Sequence, residues 1–322
     1  MWMLSFAFMT LFGRNIKNIE GFCKCLILLA ALIWGLSFVI MKDAVEVVEP
    51  SWLLGIRFTA TGLILVVVFF KRLRTHFNRD HIVFGVALGI MLSAGFLLQT
   101  MGLVYTTPGK NAFLTACYVV ITPFAYWLFV RKRPTVFHLV AAVVCLAGMG
   151  FVSLQESLSI GFGEALTIMS ALLYAIHFVF VAKWSRKYDV LVLTVYQFLA
   201  MGLLGFGIGI IFEPAPAIET LLDTTFLLNM TYLVIFASCI ALVIQNFALK
   251  YVSPSQASLF LSFEAVFGVI FSVWLCGEIL TLRLIIGFCL IFLAIVISET
   301  FPLKGLPWRK KQQGPANLEE TT

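Results

Sequence analysis

Ten times along this chain, apolar residues run on for roughly the 20 positions that a helix needs to cross about 30 Å of hydrocarbon. The runs are Lys24–Met41, Trp52–Phe70, Ile82–Val104, Asn111–Val130, Phe137–Leu154, Gly163–Ala182, Leu191–Phe212, Thr225–Leu249, Ser255–Cys276 and Leu282–Ser298. No water in hydrocarbon can satisfy an unpaired N–H or C=O, so a segment of this kind crosses as a helix that closes its own hydrogen bonds. Barrel strands would be about half as long and would alternate in polarity. The expected fold is therefore all-α and integral to the lipid bilayer, with ten transmembrane helices. A soluble alternative fails on composition, because 61% hydrophobic and 12% charged residues, with a mean hydropathy of +1.03, leave too little polar surface.

Lys and Arg are retained on the cytoplasmic side during insertion, so their distribution orients the spans. Eighteen of the 22 lie on alternate connections or in the terminal segments: Arg14, Lys17 and Lys24, then Lys71 to Arg79, Arg131 to Arg133, Lys183 to Lys187, Lys250, and Lys304 to Lys311. The opposite connections hold only Lys42, Lys110 and Arg283. Both termini are thus expected in the cytoplasm of a cell membrane protein. Residues 1–23 form a leader whose basic residues follow its apolar stretch, which is not the layout of a secretory signal. Residues 301–322 form a polar tail.

The chain also repeats itself. A shift of 146 residues lays Gln99 on Gln245, Tyr105 on Tyr251, Pro108 on Pro254 and Tyr118 on Glu264, while a shift of 140 lays Trp34 on Tyr174, Ser37 on His177 and Arg57 on Gln197. The expected units are 24–155 and 160–300, five spans each. Five spans begun inside end outside, so the second unit inserts upside down. Inverted repeats of this kind are a recurring plan of secondary transporters, with the substrate site near the midplane between the halves.

Other classes are less well served. The net charge of +6 is spread over short connections instead of being gathered on one solvated face, so no nucleic acid partner is expected. The seven cysteines include no CxxC pair, and most sit singly in apolar runs, where cysteine packs as a small hydrophobe. No GxxxxGK[ST] cradle occurs, so neither an ATP-driven pump nor a cofactor is expected. A membrane-embedded transferase would need clustered acids or a His/Asp pair, and the loop histidines His76 and His81 stand near one acid, Asp80. A helper or sensor would keep the repeat and fill its centre.

At the level of motifs the chain resembles the EamA-type drug/metabolite transporters, ten-helix carriers built as five plus five inverted helices. The resemblance rests on Trp34-Gly35-Leu36-Ser37-Phe38, on Gln99 through Tyr105 and Pro108, on Asn111-Ala112-Phe113-Leu114, and on Gly277-Glu278. It covers roughly 24–300 and implies export or exchange of small metabolites, often amino acids, through a central cavity. One departure is that Glu278 has no counterpart after the fourth span, where Arg131 and Lys132 stand.

Polar residues within the runs are the candidates for a substrate cavity. Asn111, Thr115, Tyr118 and Thr122 form one stripe at helical spacing; the structural alternative is helix-to-helix glue. Glu264 lies about ten positions into its span, and carboxylates at that depth tend to mark ion or proton pathways. It is the candidate for a coupling proton or a substrate amine, against a structural hydrogen-bonding role. Arg57 either holds a substrate carboxylate with its fork of donors or snorkels to the interface. His177 with Tyr174, matching Trp34 with Ser37, suggests a cavity wall, to which Tyr196 is a further aromatic candidate. A metal site lacks a second ligand near His177. Gln99, Gln197 and Gln245 are costly in hydrocarbon unless hydrogen-bonded. Pro108 and Pro254 read as helix starters, and Glu278 as a cap on the tenth span. Few fixed charges remain, which suits a zwitterion such as an amino acid better than a phosphate.

Overall fold

The computed structural model describes residues 16–131, 133–153, 160–185, 187–248 and 260–300. Every element in it is a helix. Six are long and apolar enough to cross a membrane: Gly21–Val45, Pro50–Val68, Arg79–Tyr105, Pro108–Val130, Phe162–Val181 and Val190–Phe212. Four shorter apolar helices, Val136–Val152, Thr224–Ile240, Phe263–Cys276 and Leu282–Ser298, supply the fifth, eighth, ninth and tenth spans. The start of the ninth span, with Tyr251, Pro254 and Ser255, lies outside the described residues, as do Lys250, the first part of the leader and the polar tail.

The most extensive pairings obey one rule. The second span lies along the seventh and the fifth along the tenth; the third lies along the sixth and seventh, as the eighth lies along the first and second; the first meets the ninth as the sixth meets the fourth; and the fourth meets the ninth. Exchanging every span for the one five places on leaves this set of neighbours unchanged. Two five-helix halves related by a two-fold axis give that pattern.

Small residues make the contacts close, as they do where helices must pack without a hydrophobic driving force between them. A Cβ on Gly205 in the seventh span would stand 2.5 Å from the backbone nitrogen of Gly55 in the second. Gly148 and Gly287 bring the fifth and tenth spans together in the same way, the latter 3.0 Å from the Gly148 carbonyl.

Several spans are less regular than their apolar patterns suggest. The fourth starts at Pro108, with Thr107 accepting from the Lys110 N–H at 3.4 Å, and breaks at Cys117 between Pro108–Ala116 and Tyr118–Val130. The ninth breaks at Ser262, 145 residues on, just before Phe263–Cys276. The eighth is interrupted by a π-helical stretch, Tyr232–Ile240, in which the Ser238 hydroxyl donates to the Leu233 carbonyl at 2.8 Å. Such stretches are rare and concentrate at functional sites.

Glu278 does not cap the tenth span. Its carboxylate instead accepts from the Gly109 N–H at 3.1 Å and from the hydroxyls of Thr107 and Ser272, closing the start of the fourth span from across the repeat. The first turn of the tenth span is capped by the Thr281 hydroxyl, 3.3 Å from the Leu284 N–H. The reason is geometric: the end of the ninth span lies against the start of the fourth, and the unpaired N–H groups of a helix start attract the nearest carboxylate.

Candidate functional site

A cavity of about 150 Å³ lies between the two halves. By the measure that one water needs about 10–15 Å³, it admits roughly ten waters or one small metabolite. Its walls come from spans one to four and six to nine; among the described residues the fifth and tenth contribute none. Twelve of the residues singled out in the sequence line it, Thr122 not among them: Trp34, Ser37, Arg57, Gln99, Asn111 and Thr115 on one repeat with Tyr118, then Tyr174, His177, Gln197, Gln245 and Glu264 on the other. Tyr196 does not, because it packs against Gly85 between the third and seventh spans.

Arg57 does not snorkel. It is 3% exposed, and its guanidinium carbon sits 5.1 Å from the Phe58 ring centre and 5.4 Å from that of Phe96. Its Nε donates to the Ser238 hydroxyl at 3.0 Å. Glu264 is buried in the first turn after the break in the ninth span, where a helix N-terminus favours a negative group. Tyr118 stands beside it, in the first turn after the matching break in the fourth.

The amides divide into engaged and open ones. Gln99 donates to the Thr115 hydroxyl at 2.9 Å and accepts from the Tyr174 hydroxyl at 2.9 Å. Asn111, fully buried, donates to the Gln99 carbonyl at 3.1 Å and to Thr167 at 2.8 Å, so the upper part of the fourth-span stripe also joins three helices. Thr122 turns back on its own helix, donating to the Tyr118 carbonyl. His177 meets Gln197 at 3.3 Å. Trp34 donates to the Ala237 carbonyl at 2.6 Å and Ser37 to the Trp34 carbonyl at 2.7 Å, both at the edge of the π-helical stretch or facing it. Gln245 is half-buried, with no side-chain hydrogen bond among the described residues.

Aromatic rings close the remaining walls. Tyr118 stacks on Phe178 at 5.2 Å, and Tyr174 meets Phe96 edge-on at 5.5 Å. Sequence reasoning missed Ser238, Phe58, Phe96 and Phe178. A serine or phenylalanine within an apolar run carries no signal of the face it occupies, and only the π-helical stretch turns Ser238 toward Arg57. No group of His, Cys, Asp and Glu among the described residues could hold a metal ion.

The division into two halves is what comparison with known proteins also returns. The model of the EamA-like transporter family matches residues 21–154 and again 161–300. The chain belongs to that family. An uncharacterized transporter of Archaeoglobus fulgidus is 31% identical over 276 residues, covering 84% of this chain and 83% of its own. The uncharacterized transporter YoaV of Bacillus subtilis is 22% identical over 278 residues, covering 84% and 94%. A solved crystal structure at 16% identity superposes with a TM-score of 0.65 over 88% of this chain and 98% of its own, a likeness of fold. This EamA protein is accordingly a multi-pass transporter of the cell membrane and not an enzyme.

Proposed function

We propose that this EamA transporter is a secondary carrier that exports or exchanges small zwitterionic metabolites, foremost amino acids, by alternating access. The repeats 24–155 and 160–300 rock about the cavity, both termini are cytoplasmic, and Glu264 carries the coupling proton. One observation supports this reading above the rest: among the described residues one carboxylate, Glu264, and one guanidinium, Arg57, line the same cavity and form no ion pair with each other. A zwitterion brings both complements. The breaks beside Tyr118 and Glu264 fit the same reading, since carriers with inverted repeats commonly build their sites from discontinuous helices near the midplane. Room at the centre speaks against a helper whose core is filled.

Flux in proteoliposomes tests it. The protein is loaded against a panel of amino acids with an imposed pH gradient, and the natural chain is compared with Glu264→Gln. Loss of gradient-driven flux with counterflow exchange intact supports proton coupling at Glu264. Unchanged flux in both modes removes the coupling assignment, and absence of flux for every member removes the amino-acid class.

A further inference from the structure

We propose that Arg57, held by Ser238, is an anion subsite of the central cavity that takes the carboxylate of a small substrate with an apolar body. The inference rests on the reading of that cavity as the substrate site and names the group that recognises one end of the substrate.

A guanidinium that is 3% exposed lies in the transmembrane region with two phenylalanine rings against it. Buried charges are normally paired, because desolvation without a partner is costly. Here Nε has Ser238, and the two terminal nitrogens have no hydrogen-bond partner among the described residues. No carboxylate among those residues stands within 4.0 Å of Arg57. The acid that lines the cavity among the described residues, Glu264, stands beside Tyr118 on the other repeat and makes no ion pair with Arg57. The free side of the fork therefore opens on the cavity.

The tether is built with care for direction. The Ser238 hydroxyl accepts from Arg57 and donates to the Leu233 carbonyl five residues back, a bond that exists because the eighth span is π-helical there. With Nε fixed and the plane flanked by Phe58 and Phe96, the terminal N–H groups are held in one orientation. A planar fork in that state matches a carboxylate, which it binds bidentately.

The rest of the cavity selects the class. Among the described residues Arg57 is its only Lys or Arg, so a monoanion is matched and a doubly charged phosphate is not. Leu92, Phe96, Phe178 and Leu242 supply an apolar surface for the body of the ligand. The repeat mate of Arg57 is Gln197, which is bonded to His177, so the subsite occurs once and fixes one orientation of the substrate.

Thermal unfolding of the full-length protein in detergent tests this without requiring transport. The probes are sodium isovalerate, L-leucine, L-leucinamide and inorganic phosphate, titrated against the natural chain, Arg57→Gln and Ser238→Ala. Isovalerate and L-leucine are expected to raise the midpoint saturably, and L-leucinamide and phosphate to leave it in place. Arg57→Gln should weaken the carboxylate response by about tenfold to a hundredfold, the range for hydrogen bonds to charged groups; Ser238→Ala, which keeps the charge, should weaken it less. If Arg57→Gln does not yield a monodisperse protein, Ser238→Ala and Arg57→Lys decide: both must lose affinity for isovalerate. The proposal is overturned if L-leucinamide stabilises as well as L-leucine, if phosphate exceeds isovalerate, if the variants respond like the natural chain, or if no carboxylate stabilises it. Carboxylate binding through Arg57 without flux in proteoliposomes would leave the subsite standing and remove the carrier reading; flux unaffected by Arg57→Gln would do the reverse.

Discussion

Arg131 and Gly277 end the fourth and ninth spans in the same left-handed conformation, with φ of 63° and 66°, and they lie 146 residues apart, the offset of the repeat. Glycine takes that conformation without strain, whereas a residue with a Cβ is disfavoured there by about 1 kcal/mol or more. Arg131 is exposed and its helix C-cap is otherwise made. Arg131→Gly is expected to stabilise the protein by about 1 kcal/mol, read as a rise in thermal midpoint. Gly277→Ala should lower it by a similar amount, and because a Cβ at Gly277 would meet nothing within 4 Å, that loss measures backbone strain alone. A fall in midpoint for Arg131→Gly would show that the Arg131 side chain outweighs the strain.

The carboxylate of Glu278 joins the end of the ninth span, in one repeat, to the start of the fourth, in the other. Its removal leaves the Gly109 N–H and two hydroxyls without their acceptor. Glu278→Ala is expected to cost about 2 kcal/mol, the upper range for a lost helix cap. Gly109→Ala should disturb the same cap, since a Cβ there would run into the Glu278 carboxyl group. Residues sharing one interaction give non-additive effects. The double variant should therefore lose clearly less than the sum of the two; strict additivity would show that the two changes act on separate features.

On the other face, Asp189 accepts from Arg72 at 2.7 Å and from the Leu191 and Val192 N–H groups at the start of the seventh span. Burial pushes the Asp189 carboxyl up, but these donors outweigh it and hold it below the ordinary value of 3.8. A carboxyl depressed on folding contributes stability that is fully present above its unfolded value and is lost as pH falls through its folded value. The natural chain should thus lose thermal stability on acidification below about pH 4. Asp189→Asn should be less stable at neutral pH and show a shallower acid limb. Parallel limbs in the two proteins would assign the acid sensitivity elsewhere.

How far these features could be read in advance depends on the range over which each is determined. Spanning length and helical closure are local demands of hydrocarbon, so the apolar runs disclosed the helices. The repeat disclosed which spans are equivalent, and with it the polar residues that share one cavity. What escaped is set by neighbours distant in sequence. Arg57 could have reached the interface by the length of its stem, and only the packing of Phe58 and Phe96 around it keeps it inside. Glu278 caps whichever helix start lies nearest, and that choice is made by the packing of the ninth span against the fourth. The breaks at Cys117 and Ser262 carry neither Gly nor Pro, and the π-helical stretch at Ser238 adds a single residue to a turn. None of these leaves a trace in apolar periodicity.

Two glycines of the seventh span offer a last and sharper contrast. Gly205 stands where a Cβ would approach Gly55 to 2.5 Å at its nitrogen and 2.7 Å at its Cα, and the Ser51 carbonyl to 3.0 Å. Those are backbone atoms, so no side chain can rotate away. Gly207, two residues on, faces outward with nothing within 4 Å of a Cβ. Gly205→Ala must separate the second and seventh spans and is expected to cost about 1–3 kcal/mol, as overpacking does. Gly207→Ala has only the helix preference for alanine to express and should gain up to about 1 kcal/mol. Helix propensity alone predicts the same gain at both positions. A midpoint that falls for Gly205→Ala and rises for Gly207→Ala therefore reports the backbone contact between the repeats, and equal rises would show that the two spans are farther apart in the membrane.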